Sequence, residues 1–433
     1  MKDRFGVGIM GLGTVGFGTA IILKKNNEIL SIRKNGNIEL LRVLEKEVDR
    51  AKINLEGIGM DPAIVTEDFD EFISTEGIDI VVEVIGGTTI AKDFILKALN
   101  AGKSVVTANK DLMAIHGKEL LDAAEKNGVD LRFEASVAGG IPIINVMKND
   151  LIANNISRFM GIMNGTTNYI LTRMYEENDD FDEVLKDAQK LGYAEADPTA
   201  DIGGFDAARK VAILASIAYN SRVTLDDVYV EGIEKIKSFD ISAASKLGYV
   251  IKLLGIAREQ DGEIEARVHP VMIPKKHPLA SVGDTFNAVY VDGDAVGETM
   301  FYGRGAGDLP TGSAVVADIC AVVEDMKRET LGLDGCTCYL NKPIRPRESY
   351  ISKFYIRMKV QDSPGVLSMV TKVFGDYGVS ISSLIQDRGN HEDAELIIIT
   401  HHVKEGEFLK AKDQLMKSSA VYGIDNVIRV EDN

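Results

Sequence analysis

Short apolar runs alternate with longer amphipathic segments along residues 1–135. The runs at 5–10, 38–44, 78–85, 104–107 and 131–135 are nearly continuous and end in Gly, Asn, Ser or acidic residues. Such runs predict strands buried on both faces, and segments of helical period between them predict a parallel, doubly wound α/β sheet. From residue 136 the alternation loosens into apolar runs separated by small polar loops, which predicts an α+β domain over 136–304. A helical pattern at 312–326 lies in a segment, 305–340, expected to pack back on the first domain. Proline and charge concentrate in 341–350 (NKPIRPRESY), a linker pattern. Residues 351–433 then read strand (353–360), helix to 377, strand (379–386), turn at Gly389-Asn390, strand (395–403), helix (406–417), strand (421–430). That order, βαββαβ, is a ferredoxin-like sandwich.

The first strand runs directly into Gly11-Leu12-Gly13-Thr14-Val15-Gly16, and a helical pattern follows over 15–26. This is G-x-G-x-x-G in the strand–turn–helix setting the motif requires. Gly11 permits the tight turn, Gly13 lets a pyrophosphate approach the backbone, and Gly16 lets helix and strand pack closely. The phosphates then rest on free N–H groups at the helix start. The second strand ends at Glu45-Lys46-Glu47. A carboxylate there suits the ribose hydroxyl of NAD and a cation suits the phosphate of NADP, so both cofactors stay open.

The densest cluster of chemistry is at 191–210 (LGYAEADPTADIGGFDAARK), with Glu195, Asp197, Asp201, Asp206 and Lys210 around one proline and three glycines. Its front half is loop-like. Its back half begins a helix, 205–219, on which Asp206 and Lys210 share a face. The spacing fits a site for a small zwitterion with a proton donor beside it, and it fits a solvated surface ion pair equally well.

Other loops carry weaker signals. Gly86-Gly87-Thr88-Thr89 and Ala108-Asn109-Lys110 follow strands at their carboxyl ends, where open α/β sheets bind ligands. The loop 136–142, preceded by Glu134, leads into an apolar helical pattern and offers oxygen donors suited to a hard cation. Residues 161–169 (GIMNGTTNY) read as a pocket wall or a strand edge, and 301–307 (FYGRGAG) as a second glycine-rich turn. Cys336 and Cys338 lack the second pair of a zinc site. His401-His402 sits in an apolar strand pattern, on opposite faces. No Ser-His-Asp or Cys-His set can be assembled.

Composition narrows the partners. The formal net charge is −17, of which residues 1–349 carry −15. That excludes the basic footprint of a nucleic-acid or anionic-membrane binder. No apolar run is long enough to span a bilayer, no signal-peptide pattern opens the chain, and three clustered cysteines make no disulfide framework. A cytoplasmic enzyme is expected.

Taken together, Gly11–Gly16, the segment VTANKDLMA at 106–114 and the 191–210 motif resemble homoserine dehydrogenases across nearly the whole chain. The pattern Val360-x-Asp362-x-Pro364-Gly365-Val366-Leu367 resembles an ACT domain, an amino-acid sensor. The resemblance implies interconversion of L-homoserine and L-aspartate 4-semialdehyde with NAD or NADP. It implies Lys210 as proton donor, Asp206 and Lys110 beside the reacting groups, and Glu195, Asp206 and Thr166 on the substrate. Cofactor would be met by Gly11, Leu12, Gly13, Thr14, Val15, Gly16, Thr88, Lys110, Gly192 and Gly305. Glu134, Val137, Gly139 and Ile141 fall at the family's sodium site. A homodimer or homotetramer is implied, with threonine the expected effector of the ACT domain.

Overall fold

Six parallel strands form the N-terminal sheet in the order β3 (Val65–Thr66), β2 (Asn37–Leu44), β1 (Arg4–Met10), β4 (Ile78–Glu83), β5 (Ser104–Thr107), β6 (Leu131–Arg132). The strand order reverses between β1 and β4, so a crevice opens at their carboxyl ends. This is a computed structural model, and it describes residues 2–388 and 393–432. The chain divides into two compact units. The first comprises 1–156, 212–225 and 287–341, and the second 157–211, 226–286 and 342–433.

In the first unit, Phe5, Val7 and Ile9 of β1 and Ile80 and Val82 of β4 are buried with Val315, Ile319, Val322 and Val323 of the helix Asp308–Arg328. That helix crosses the helix Thr14–Lys25 backbone against backbone at Gly18. A Cβ on Gly18 would lie 2.2 Å from the Asp308 carbonyl oxygen, and one on Gly312 would lie 2.8 Å from the Gly18 carbonyl carbon. The helix starts at Asp308, a turn earlier than the apolar pattern predicts: the preceding strand Gly297–Arg304 has ended, and Gly307 (φ +116°) turns the chain into the helix. The strand predicted at 131–135 stops at Arg132: Glu134–Ser136 turns tightly and draws the chain away from the sheet. The apolar helix expected after 142 is a short π-helical stretch, Val146–Asp150.

The second unit is built on a mixed sheet. β7 (Ile156–Ile162) pairs antiparallel with Tyr249–Gln260, which pairs antiparallel with Glu263–Pro274. That strand carries on into the C-terminal module, pairing in parallel with Val421–Val430 through Val271–Arg429 and Met272–Val430. Beyond it come Ile351–Gln361, Asp393–Thr400 and Ile381–Arg388, all antiparallel. The helices Val366–Asp376 and Glu405–Leu415 bury Val370, Phe374, Phe408 and Leu415 against this sheet. The expected βαββαβ order is present, with a two-residue strand, Val403–Lys404, added. The turn expected at Gly389-Asn390 lies outside the described residues. His401 and His402 follow the strand's end at Thr400 rather than lying within it.

The predicted linker is pinned. The Ile264 N–H donates to the Pro343 carbonyl and the Arg345 N–H to the Ile264 carbonyl, at 2.9 and 2.8 Å. The Arg345 side chain is buried against Glu263, Gln260 and Asp261.

Candidate functional site

The glycine loop leaves β1 with Gly11 at φ +96°, a left-handed conformation that disfavours a side chain. A Cβ at Gly16 would meet the Gly11 carbonyl oxygen at 2.0 Å, whereas Gly13 has nothing within 4 Å of a Cβ position. The two closely packed glycines fix the turn, and the third keeps the approach to the helix start open. The helix Thr14–Lys25 begins with no side-chain cap at Gly13, so its first N–H groups point outward as an anion-binding end. These features fit a dinucleotide. Beside Gly13 a 190 Å³ cleft is lined by Leu12, Glu45, Glu47, Arg50, Ala51 and Asn54. The Glu45 carboxylate accepts from the Leu12 N–H at 2.6 Å and the Lys46 N–H at 2.8 Å, tying the end of β2 to the glycine loop.

The neighbouring loops hang from a buried acid. Glu83 is fully buried at the end of β4, level with Thr107 of β5. Its carboxylate accepts from the Ile85 and Gly86 N–H groups and from the Thr107 hydroxyl. Burial pushes its pKa up, and those donors hold it back. The Thr107 oxygen takes the Asn109 N–H, and Asn109 donates to the Gly87 carbonyl at 2.7 Å. Asn109 also caps the helix Lys110–Asn127 through the Leu112 N–H. Glu83 therefore sets both the half-buried Thr88 loop and the start of the helix that carries Lys110. An acid at the inner end of an apolar strand, which also carries Asp79 near its start, was its only sequence signal.

Two glycine-rich loops that are far apart in sequence meet. A Cβ at Gly139 (φ +52°) would lie 2.4 Å from the Gly305 carbonyl oxygen, and the Gly140 N–H donates to the Arg304 carbonyl. Val137 and Ile141 are buried in the same loop. Glu134 differs from a cation-facing acid: its carboxylate oxygens accept the N–H groups of Ile143, Ile144 and Asn145 at 2.7–2.8 Å. Any cation role for Glu134 falls to its carbonyl oxygen. Asp318 accepts the Glu134 N–H, and burial raises its pKa to about 7. Among the described residues no cluster of three or more His, Cys, Asp or Glu is placed to hold a metal.

In the second unit, Asp206 and Lys210 stand on the helix Phe205–Ala218. They are 7% and 8% exposed, so the solvated surface pair is ruled out. The Lys210 ammonium donates to the Asp206 carboxylate at 2.7 Å and to the Met163 carbonyl at 2.6 Å. Sequence reasoning missed Asn164. Its amide nitrogen donates to Asp201 at 2.6 Å and to Asp206 at 2.9 Å. Its amide oxygen takes the Thr167 N–H, capping the helix Gly165–Glu177. One side chain thus joins the end of β7 to both halves of the 191–210 motif. The local signal was an Asn one residue before Gly-Thr-Thr, a helix start.

The rest of the motif is looser. Thr166 is half-buried and donates to the Tyr193 carbonyl at 2.6 Å. Gly192 (φ +78°) and Glu195 are on an exposed loop, steadied by Gln189 donating to the Glu195 carbonyl. Asp197 accepts the Thr199 N–H and hydroxyl, which lowers its pKa and assigns it to shaping the turn. The Gly203-Gly204 turn before Asp206 rests on 230–232: Cβ atoms at Gly232 and Gly204 would meet the Ile202 carbonyl oxygen at 2.3 Å and Val230 at 3.2 Å.

Comparison with known proteins matches residues 11–134 to the NAD-binding domain of homoserine dehydrogenase, 142–320 to the homoserine dehydrogenase family, and 354–419 to the ACT domain. The chain is 42% identical to homoserine dehydrogenase of Bacillus subtilis, covering 99% of this chain and 98% of that one. It is 44% identical to that of Synechocystis, over 98% and 99%. The crystal structure of a homoserine dehydrogenase from Thiobacillus denitrificans superposes with TM-score 0.94 at 40% identity, over 100% of this chain and 99% of that one. A hyperthermophilic archaeal homoserine dehydrogenase in complex with NADPH covers 74% of this chain and 98% of its own, with TM-score 0.63 and 27% identity. No helix among the described residues is long and apolar enough to cross a membrane. By the extent of these matches, the chain belongs to the homoserine dehydrogenase family, NAD(P)-dependent oxidoreductases, with an ACT domain at its C-terminal end.

Proposed function

We propose that the chain interconverts L-homoserine and L-aspartate 4-semialdehyde, with Lys210 moving the proton at the substrate oxygen. The observation that carries this reading is the buried Lys210 ammonium, held by Asp206 and the Met163 carbonyl. An ammonium has three donors, and two are so engaged, leaving one for the substrate oxygen. When bound, the nicotinamide supplies or accepts the hydride. As hydride reaches the aldehyde carbon, Lys210 stabilises the developing charge on oxygen and protonates it. In the reverse direction the amine takes the hydroxyl proton.

Asp206 and Glu195 hold the substrate amino group, Thr166 lines the same site, and Lys110 meets cofactor or substrate. The cleft beside Gly13 presents Glu45 and Glu47, and Arg50 is already paired with Glu47 at 2.8 Å. That lining favours the ribose hydroxyl of NAD over the phosphate of NADP. A sodium ion would be held by backbone carbonyls of Glu134, Val137, Gly139 and Ile141. Threonine would bind the ACT module where the uncapped helix start at Gly365 faces a 340 Å³ cleft lined by Asp362, Ser363 and Gln386. The enzyme acts in the cytoplasm as a homodimer or homotetramer, in threonine, methionine and isoleucine synthesis.

The test follows NADH or NADPH absorbance with aspartate semialdehyde, with and without threonine. Lys210→Ala is expected to abolish turnover while cofactor affinity is retained. Equal losses in both would overturn the proton-transfer role, and absence of any semialdehyde-dependent oxidation would overturn the reaction.

A further inference from the structure

Cys336 and Cys338 take no part in the chemistry above, yet they lie together in a pocket of the first unit. Its lining includes Lys118 and Leu121 of the helix Lys110–Asn127, with Lys148, Ser216 and Arg222. The Cys338 N–H donates to the Cys336 sulfur at 3.5 Å, and the Cys338 thiol lies 3.9 Å from the Ser216 carbonyl oxygen. Both cysteines are half-buried and in no disulfide, whereas Cys320 is buried in the sheet's core.

We propose that Cys336 and Cys338 form an oxidisable dithiol, in which Cys336 is the attacking thiolate and Cys338 the resolving thiol for a small hydroperoxide. Three features of the pocket support it. The first is the contact each sulfur makes: the Cys336 sulfur accepts the Cys338 N–H, which favours a thiolate, whereas the Cys338 thiol donates to the Ser216 carbonyl and so keeps its proton. The second is electrostatic: the neighbouring Cys338 and the Lys118 ammonium lower the Cys336 pKa, against burial and Asp122, while Cys336 and burial raise that of Cys338. The third is size. The cavity is about 30 Å³, room for a molecule of a few atoms.

The chemistry balances with the hydroperoxide as oxidant. The Cys336 thiolate attacks the terminal peroxide oxygen; an S–O bond forms, the O–O bond breaks, and the leaving alkoxide or hydroxide takes a proton. Cys338 then attacks the sulfenic sulfur; the S–S bond forms, the S–O bond breaks, and hydroxide leaves with the Cys338 proton as water. Two thiols are oxidised and one hydroperoxide is reduced. Thiolate character and a neighbouring resolving thiol are what make such a cysteine sensitive. The Cys336 side chain already folds back on the residue two along, its sulfur 3.5 Å from the Cys338 nitrogen, so a short rotation of the Cys338 side chain brings the two sulfurs together.

The full chain is treated with graded hydrogen peroxide, quenched, denatured and counted for free thiols, with peptide mapping by mass. Titratable thiols are expected to fall from three to one, with the two hydrogens lost from the peptide joining Cys336 and Cys338. Reductant restores all three. Cys338→Ser is expected to stop at a sulfenic acid on Cys336 that dimedone traps, Cys336→Ser to give neither product, and Cys320→Ser to behave as wild type. In unoxidised protein, alkylation at neutral pH is expected to label Cys336 faster than Cys338 by on the order of tenfold. Retention of three thiols in folded wild-type protein, pairing that includes Cys320, or a disulfide between chains would each overturn the proposal.

Discussion

Asn164 offers the sharpest test of how the substrate site is held. Asn164→Ala removes two hydrogen bonds to carboxylates, at 2.6 Å to Asp201 and 2.9 Å to Asp206, together with the cap on the Thr167 N–H. A hydrogen bond to a charged group contributes about 1.5–3 kcal/mol. A lost Asn cap costs about 1 kcal/mol. If the alignment of Asp206 and Lys210 depends on one such bond, kcat/KM falls by roughly tenfold to a hundredfold, at about 1.4 kcal/mol per factor of ten. Asn164→Asp separates the two roles. It keeps an acceptor for the cap and puts a carboxylate where the donor faced Asp201 and Asp206. Its activity at neutral pH should be no better than that of Asn164→Ala. As pH falls its carboxyl group gains a proton and can donate again, so its kcat/KM relative to wild type should rise. The assay is initial-rate homoserine oxidation across pH for all three proteins, with circular dichroism to confirm folding. A folded Asn164→Ala enzyme within twofold of wild type, or an Asn164→Asp ratio flat with pH, would refute the positioning role.

Glu405 accepts from two of the three guanidinium nitrogens of the buried Arg429, at 2.6 and 2.7 Å, and lies 3.6 Å from the fully buried Arg267. Burial works to raise its pKa, yet Arg429 and Arg267 hold it below the usual carboxylate range. Glu405→Gln removes the charge that both guanidinium groups share while Glu265, Glu431 and Glu231 stay beside them, and urea unfolding followed by circular dichroism should show a loss of about 1.5–3 kcal/mol. His269 is fully buried, its Nε2 has no hydrogen-bond partner among the described residues, and burial with Arg429 and Arg267 drives its pKa well below 6.5. The unfolded chain takes up that proton and the folded one does not, so stability is lost as pH falls below about 6.5, by about 1.4 kcal/mol one pH unit lower. His269→Gln should flatten that part of the stability–pH curve, and an unchanged slope would exclude His269 as its source. Gly18→Ala should cost about 1–3 kcal/mol in thermal unfolding and raise KM for the cofactor, because the helix Thr14–Lys25 must move off the Asp308 backbone.

Legibility in the sequence tracked how local the physics was. Gly11–Gly16 declares itself because turn, anion-binding helix start and helix–strand contact all lie within six residues. Asp206 and Lys210 were recognisable as a pair, but spacing could not say whether they were buried; that depends on β7 and the Met163 carbonyl. Asn164 and Glu83 were missed for one reason: their partners stand at Asp201 and Asp206, and at Thr107, brought near only by the fold. Glu83 was nonetheless detectable in principle, since an acid inside a doubly buried strand must be matched by donors. The linker reading did not foresee the anchoring at Arg345 because proline and charge describe composition, whereas the segment's order comes from Ile264 and Glu263 across the sheet.

The pairing of Val271 and Met272 with Arg429 and Val430 makes the last strand of the chain an inner strand of the second unit's sheet. The ACT module is therefore not a removable accessory. Truncation near residue 350 would bare the edge of Glu263–Pro274 at Val271 and Met272, and it would strip Arg267 of Glu405 and Glu431. Bare edges template aggregation, and lone buried charges unfold what holds them. A shortened enzyme made from this chain would need that edge rebuilt with charge or proline, and the exposed guanidinium replaced, before its catalysis could be compared with that of the archaeal chain that aligns with only 74% of this one.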